Sequence, residues 1–196
     1  MNMSSKLPNR DECTYTKCYC EENVWKLCKY IEDSGKIELL SNSYAIFISN
    51  HDRTIPLWKQ KASKRSDTMV MWDYHVILFV ENESLIYDLD TMLGFPCSLE
   101  EYATEAFNFN MKLKPQFERL LRVVPATEFL KTFASDRTHM LTEDGEWTSP
   151  PPDYPPISSS SSTNNLQSFI SMTKSSEQFG AVQTLEEFIN KYMLKG

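Results

Sequence analysis

Two apolar runs of the chain read as strands. Residues 69–80 (MVMWDYHVILFV) and 84–90 (SLIYDLD) are rich in strand-forming side chains, and the polar Glu81-Asn82-Glu83 connects them. This predicts a β-hairpin or two neighbouring antiparallel strands. Taken as one regular strand, 69–80 places Met71, Asp73, His75, Ile77 and Phe79 on one face and Val70, Trp72, Tyr74, Val76, Leu78 and Val80 on the other. In the second run Ile86, Asp88 and Asp90 share a face. If pairing sets Asp88 beside His75, a carboxylate meets an imidazole inside an apolar sheet, where a buried charge needs a partner. Trp72 and Tyr74 then point away from His75 and serve packing.

Elsewhere the period changes. Val24, Leu27, Cys28 and Ile31 recur at helical spacing, with Trp25 and Tyr30 widening the stripe. They predict a helix from about Glu21 to Asp33, stopped near Ser34-Gly35. Glu21 and Glu22 fill its first turn and complement the helix dipole, and Cys20 stands at its mouth. Residues 43–49 read as a strand, and 55–58 as a short edge strand because of Pro56. The basic segment 59–68 reads as a solvated loop. The loop 91–98 leaves the Asp88 strand and so borders any cleft there. Helices are expected over 99–107 and 125–133, with a strand at 121–124 between them. A polar loop, 135–140, carries His139. Triple and double prolines followed by five serines make about 148–165 an extended surface loop with a disordered serine part. The remaining C-terminal segment is too short to bury its own core. It should return to the main sheet through Leu166, Phe169, Ile170 and Met172. Thr184-Leu185-Glu186-Glu187 forms a capping box ahead of Phe188, Ile189, Tyr192 and Met193. The organisation expected is a flexible tail, 1–12, and one domain, 13–196.

Composition narrows the function. The chain has 196 residues, 41% hydrophobic and 24% charged, which suits one globular domain. It has no apolar run long enough to span a membrane. A net charge of -7 argues against nucleic acid as a partner and mildly favours a substrate that carries a positive group. The five cysteines are Cys13, Cys18, Cys20, Cys28 and Cys97. An odd number, with no apolar leader in the first residues, reads as reduced thiols in the cytoplasm or, as a second place, the nucleus.

A cysteine at a helix start, a histidine on a central strand and an aspartate on the next strand are the parts of a thiol acyl-transfer site. Cys20 would attack a carbonyl or amide carbon, His75 would carry the proton and Asp88 would fix the imidazole. Blander readings stand beside this one. Cys20 could be a helix-cap thiol, His75 a satisfied core histidine and Asp90 a turn carboxylate. Cys18 competes as the nucleophile. Cys13, Cys18 and Cys20 could hold zinc with His75 or His139, although their spacing lacks the usual C-x2-C knuckle.

Six motifs in order carry a resemblance: Cys18-Tyr19-Cys20-Glu21-Glu22-Asn23, Trp72-Asp73-Tyr74-His75-Val76, Tyr87-Asp88-Leu89-Asp90-Thr91, residues 133–140 (FASDRTHM), Pro150 to Pro155, and Phe169-Ile170-Ser171-Met172. From about Cys13 to the C-terminal helix the chain resembles the protein N-terminal glutamine amidohydrolases. The N-terminal tail and the serine run depart from that pattern. The resemblance implies an α/β, papain/transglutaminase-like cysteine hydrolase fold. It would be a single domain with a central, mainly antiparallel sheet and a nucleophile-bearing N-terminal helix. It also implies a monomer without metal or organic cofactor and a triad of Cys20, His75 and Asp88. The substrate it implies is a polypeptide with a free N-terminal glutamine. Hydrolysis would leave N-terminal glutamate and ammonia, upstream of arginylation in the N-degron pathway. A free α-ammonium would have to be read, and Glu21, Asp73, Asp90 and His139 are the candidates for contacting substrate. The alternatives are a thiol peptidase, a transglutaminase-like acyl transferase, or an N-terminus-binding adaptor that uses the proline-rich loop.

Overall fold

A computed structural model describes residues 7–173 and 179–193. In chain order the elements are helices α1 (Cys20–Asp33) and α2 (Ile37–Ser41), then strands β1 (Ser43–Ser49), β2 (Ile55–Leu57), β3 (Val70–Trp72), β4 (His75–Val80), β5 (Leu85–Tyr87) and β6 (Cys97–Ser98). After these come α3 (Leu99–Glu105), β7 (Leu120–Pro125), α4 (Ala126–Thr132), α5 (Leu166–Ile170), β8 (Ala181–Thr184) and α6 (Leu185–Tyr192). Six strands form one sheet in the order β6-β5-β4-β1-β7-β8, and each neighbouring pair is antiparallel. β2 and β3 make a separate two-stranded sheet.

Alternation along the central strands separates two cores. Ala45, Phe47, Val76, Leu78, Val80 and Val124 pack against α1, α2, α4 and α5. Ile46, Ile48, Ile77, Phe79, Leu121 and Val123 pack against α3 and α6. The result is a sheet covered by helices on both faces, a mixed α/β domain whose N-terminal helix carries Cys20. The expected hairpin is present, with Leu78 paired to Tyr87 and Val80 to Leu85. The C-terminal segment does return. Leu166, Phe169, Ile170 and Met172 are buried in the α1-side core, and the Thr184 capping box forms as its residues predict. Gly35 takes the left-handed conformation, φ +67, that ends α1.

The structure differs from the sequence reading in three places. Residues 69–80 are not one strand. The Asp73 carboxylate accepts its neighbour Tyr74's N–H (2.9 Å), and the Ser49 hydroxyl donates to the Asp73 carbonyl (2.7 Å). These side-chain bonds replace ladder bonds, so the chain leaves the small sheet at Trp72 and enters the large one at His75. The tail is not loose from residue 7 onward. Leu7 is buried, and Arg10 donates to the Leu93 carbonyl (2.7 Å) and lies over the Phe95 ring. The serine run is a hydrogen-bonded turn, with the Ser159 N–H on the Ser162 carbonyl (3.0 Å). The loop before it is docked through buried Ile157.

Candidate active site

The segment entering α1 is held on both sides. The Asn23 side-chain amide accepts the Thr16 N–H (2.8 Å) and donates to the Thr16 carbonyl (2.9 Å). Tyr19, fully buried, donates to the Ser149 carbonyl of the proline-rich loop (3.2 Å). Cys18 sits in the left-handed region at φ 69, and Cys20 is the first residue of the helix. The N-cap residue Tyr19 makes no side-chain bond to the first turn of α1, whose leading backbone N–H groups have no partner within the helix. Cys20 lies in the same buried core as Val76, the residue that follows His75 on β4.

His75 is buried, and its Nε2 lies 3.0 Å from Asp88 Oδ1. Its other ring nitrogen, Nδ1, is buried without a hydrogen-bond partner among the described residues. Asp88 is held by more than His75. Oδ1 also accepts the Asp90 N–H (2.9 Å), and Oδ2 accepts the Tyr102 hydroxyl from α3 (2.8 Å). Trp72 stacks on the His75 ring, with centroids 5.5 Å apart and planes 18° from parallel. This corrects the expectation that Trp72 points away. The break at Asp73 changes the parity, and the indole covers the imidazole.

Electrostatics follow from this burial. Desolvation disfavours the His75 cation, but the charge and hydrogen bond of Asp88 outweigh it and raise the pKa. Burial works against Asp88 ionising as well. The His75 charge and the bonds to Asp88 win, and its carboxyl is held below the usual range. The Cys20 thiol is pushed well up by burial, then by the Glu21 and Asp90 charges. Transfer of the thiol proton to His75 is thus favoured by Asp88 and opposed by the thiol's own surroundings.

The other sequence-predicted residues divide. Glu21 is fully buried, and burial raises its pKa to about 7. Its Oε2 accepts from the Tyr74 hydroxyl (3.0 Å) and lies 3.6 Å from the Cys20 sulfur. His139 approaches the same group, with Nε2 3.6 Å from Glu21 Oε1 and 3.4 Å from the Tyr74 hydroxyl. Burial lowers the His139 pKa. Asp90 accepts the Tyr15 hydroxyl (2.6 Å), and burial raises its pKa. Asp73 is exposed and bonds its own turn. Among the described residues the donor atoms close enough to share a metal ion are those of His75, Asp88 and Asp90, within 4.8 Å of one another. The cysteines do not form such a group. His75 and Asp88 already share a hydrogen bond, and Asp90's backbone orients Asp88.

Sequence reasoning missed Tyr102, Tyr15 and Arg137. Arg137 pairs with buried Glu22 through two 2.8 Å bonds and donates to the Tyr154 carbonyl (3.0 Å). It thereby ties the loop of His139 and the proline-rich loop to the first turn of α1. The long stretches of chain between these partners hid the cluster.

The match with known proteins covers this whole constellation. Residues 15–192 match the family model described as N-terminal glutamine amidase. The chain is 49% identical over 191 residues to the protein N-terminal glutamine amidohydrolase of Danio rerio, covering 96% of this chain and 93% of that one. It is 47% identical to the Bos taurus protein of the same name over 188 residues, 94% of this chain and 89% of the other. The Drosophila willistoni protein, also so named, is 45% identical over 188 residues, 94% and 91% of the two chains.

Proposed function

The chain belongs to the N-terminal glutamine amidase family. From that membership we propose that it hydrolyses the side-chain amide of an N-terminal glutamine to give N-terminal glutamate and ammonia. The observation that carries the mechanism is the orientation of His75. Nε2 is committed to Asp88, while Nδ1 is buried without a partner among the described residues, and Cys20 lies in the core that also holds Val76, the next residue of β4.

In this mechanism Nδ1 takes the Cys20 proton as the sulfur attacks the amide carbon. The developing oxyanion meets the uncapped N–H of Cys20. His75 returns the proton to the departing ammonia, which leaves a γ-glutamyl thioester. Water activated by the same nitrogen then hydrolyses the thioester and frees the thiol. Asp88 fixes the tautomer and stabilises the imidazolium, and Trp72 keeps water off one face of the ring. Every step runs on this chain's own residues.

Selection of the first residue requires a receptor for the free α-ammonium. Glu21, Asp73, Asp90 and His139 act on Cys20, Tyr74 or His75, and the receptor is drawn from them. We further propose a monomer in the cytoplasm and nucleus, whose five free thiols suit a reducing compartment. Its product would feed arginylation in the N-degron pathway.

Hydroxylamine added during turnover of a glutamine-initiated peptide tests the covalent route. A γ-hydroxamate product that depends on Cys20 is expected. Turnover with no hydroxamate, and with activity retained in Cys20→Ala, would contradict it.

A further inference from the structure

We propose that Glu21, screened by His139, is the specificity-determining residue that receives the substrate's α-ammonium. This rests on the reading of the chain as an amidase of N-terminal glutamine and names the group that reads the terminus.

Of the three carboxylates beside the thiol, two are engaged elsewhere. Asp73 is exposed and accepts the Tyr74 N–H within its own turn, where water would screen an added ion pair. Asp90 accepts the Tyr15 hydroxyl at 2.6 Å, and its charge acts on His75. Glu21 is different. It is 0% exposed, and its Oε1 has no hydrogen-bond partner among the described residues. The nearest cationic candidate is His139 at 3.6 Å, beyond hydrogen-bond reach. Burial also keeps that imidazole neutral by lowering its pKa. A buried carboxyl with one unanswered oxygen is costly unless it stays protonated or gains a cation.

The substrate supplies that cation at the right place. In glutamine the α-nitrogen is four bonds from the side-chain amide carbon, so it lies within about 5 Å of the atom that Cys20 attacks. Glu21 is next to Cys20 in the chain, with its Oε2 3.6 Å from the sulfur. The His139 side chain, 17% exposed on a single helical turn, stands at Oε1. It is the group that must yield for an ammonium to enter. Tyr74 holds the other oxygen and fixes the carboxyl's direction. An acetylated or internal glutamine brings an amide N–H without charge and meets an unpaired buried carboxyl.

The test compares a glutamine-initiated peptide with its desamino analogue, in which hydrogen replaces the α-amino group. Wild type and Glu21→Gln are each assayed on both. Wild type should prefer the amine by about 10²-fold or more in kcat/KM. Glu21→Gln should cut that preference about ten- to a hundredfold, by losing the amine-bearing substrate rather than by slowing both equally. Tyr74→Phe, which leaves the carboxyl but removes its donor, should weaken the preference in part. It also serves as the readout if Glu21→Gln does not fold. Equal rates of wild type on both peptides would overturn the N-terminal reading itself. A wild-type preference that survives unchanged in Glu21→Gln, or in Tyr74→Phe where that is the variant that folds, would overturn the assignment to Glu21 alone.

Discussion

Asp88 is held by three hydrogen bonds. It accepts from His75, from the Asp90 backbone and from Tyr102, all in a buried setting. Its role in the proposed mechanism is orientation and charge, not bond making. Asp88→Asn should therefore lower kcat by up to about 10⁴-fold yet stay above the floor set by Cys20→Ala. Tyr102→Phe removes one of its donors and should lower kcat/KM about tenfold, with the protein still folded by circular dichroism. If Tyr102→Phe matched wild type, the hydroxyl would have no part in holding the carboxylate. Arg137, like Cys18, carries a conformational cost near the site. Arg137 occupies the left-handed region at φ 66, which a non-glycine residue adopts only when its surroundings hold it there. Glu22 and the carbonyls of the proline-rich loop supply that hold.

Between elements, two arginines do the joining. Arg137 ties α1 to the two loops that close over it, and its partner Glu22 is fully buried. Arg137→Met leaves that carboxylate without its cation. It should destabilise the fold by about 3–5 kcal/mol in urea denaturation; a change within about 0.5 kcal/mol would show that the clamp is not needed. Arg122 is fully buried on β7 and donates to the carbonyls of Phe169 (3.1 Å) and Phe179 (2.7 Å). It brings α5 and the chain just before β8 onto the sheet. Neither contact was visible in the sequence, because nothing in the spacing of an arginine names a carbonyl tens of residues away. The apolar, β-branched and aromatic runs of β1 and β4 were legible, as were the α1 stripe and the α6 capping box. The five-residue α2 and the half-exposed β8 carry too little periodicity to announce themselves. The break between β3 and β4 turns on one aspartate bonding its own turn. Strand parity carried across Asp73 could not foresee that, and so it sent Trp72 to the wrong face of His75. The His75–Asp88 pair was legible because one residue begins a strand and the other comes just after the next, positions that hydrophobic pattern does mark.

Across the molecule, stability and function pull apart at Glu21. Its folded pKa of about 7 stands above the ordinary glutamate value of 4.5. The native state therefore holds a proton that the unfolded chain releases first, and stability falls as pH rises from about 4.5 through 7. Glu21→Gln lacks this penalty. It should gain up to about 3 kcal/mol over wild type at pH 8 and little at pH 5, measured by denaturant titration at both values. An equal difference at both pH values would mean that Glu21 is not held protonated by burial. Asp88 acts in the opposite sense. Its lowered pKa contributes stability above the unfolded carboxylate range, and that contribution is lost as pH falls through the folded value. The net charge of -7 gives the whole molecule a weak preference for an incoming amine.

Ammonia release by the purified, reduced protein and its Cys20→Ala variant bears on the proposed activity and its nucleophile at once. The substrate is a peptide that begins with glutamine, run beside versions that begin with asparagine, carry an N-acetyl group or place the glutamine internally. Release is expected from the free N-terminal glutamine only, and none from the variant. Release from the internal or acetylated glutamine at a similar rate, or undiminished release by Cys20→Ala, would contradict the proposed activity.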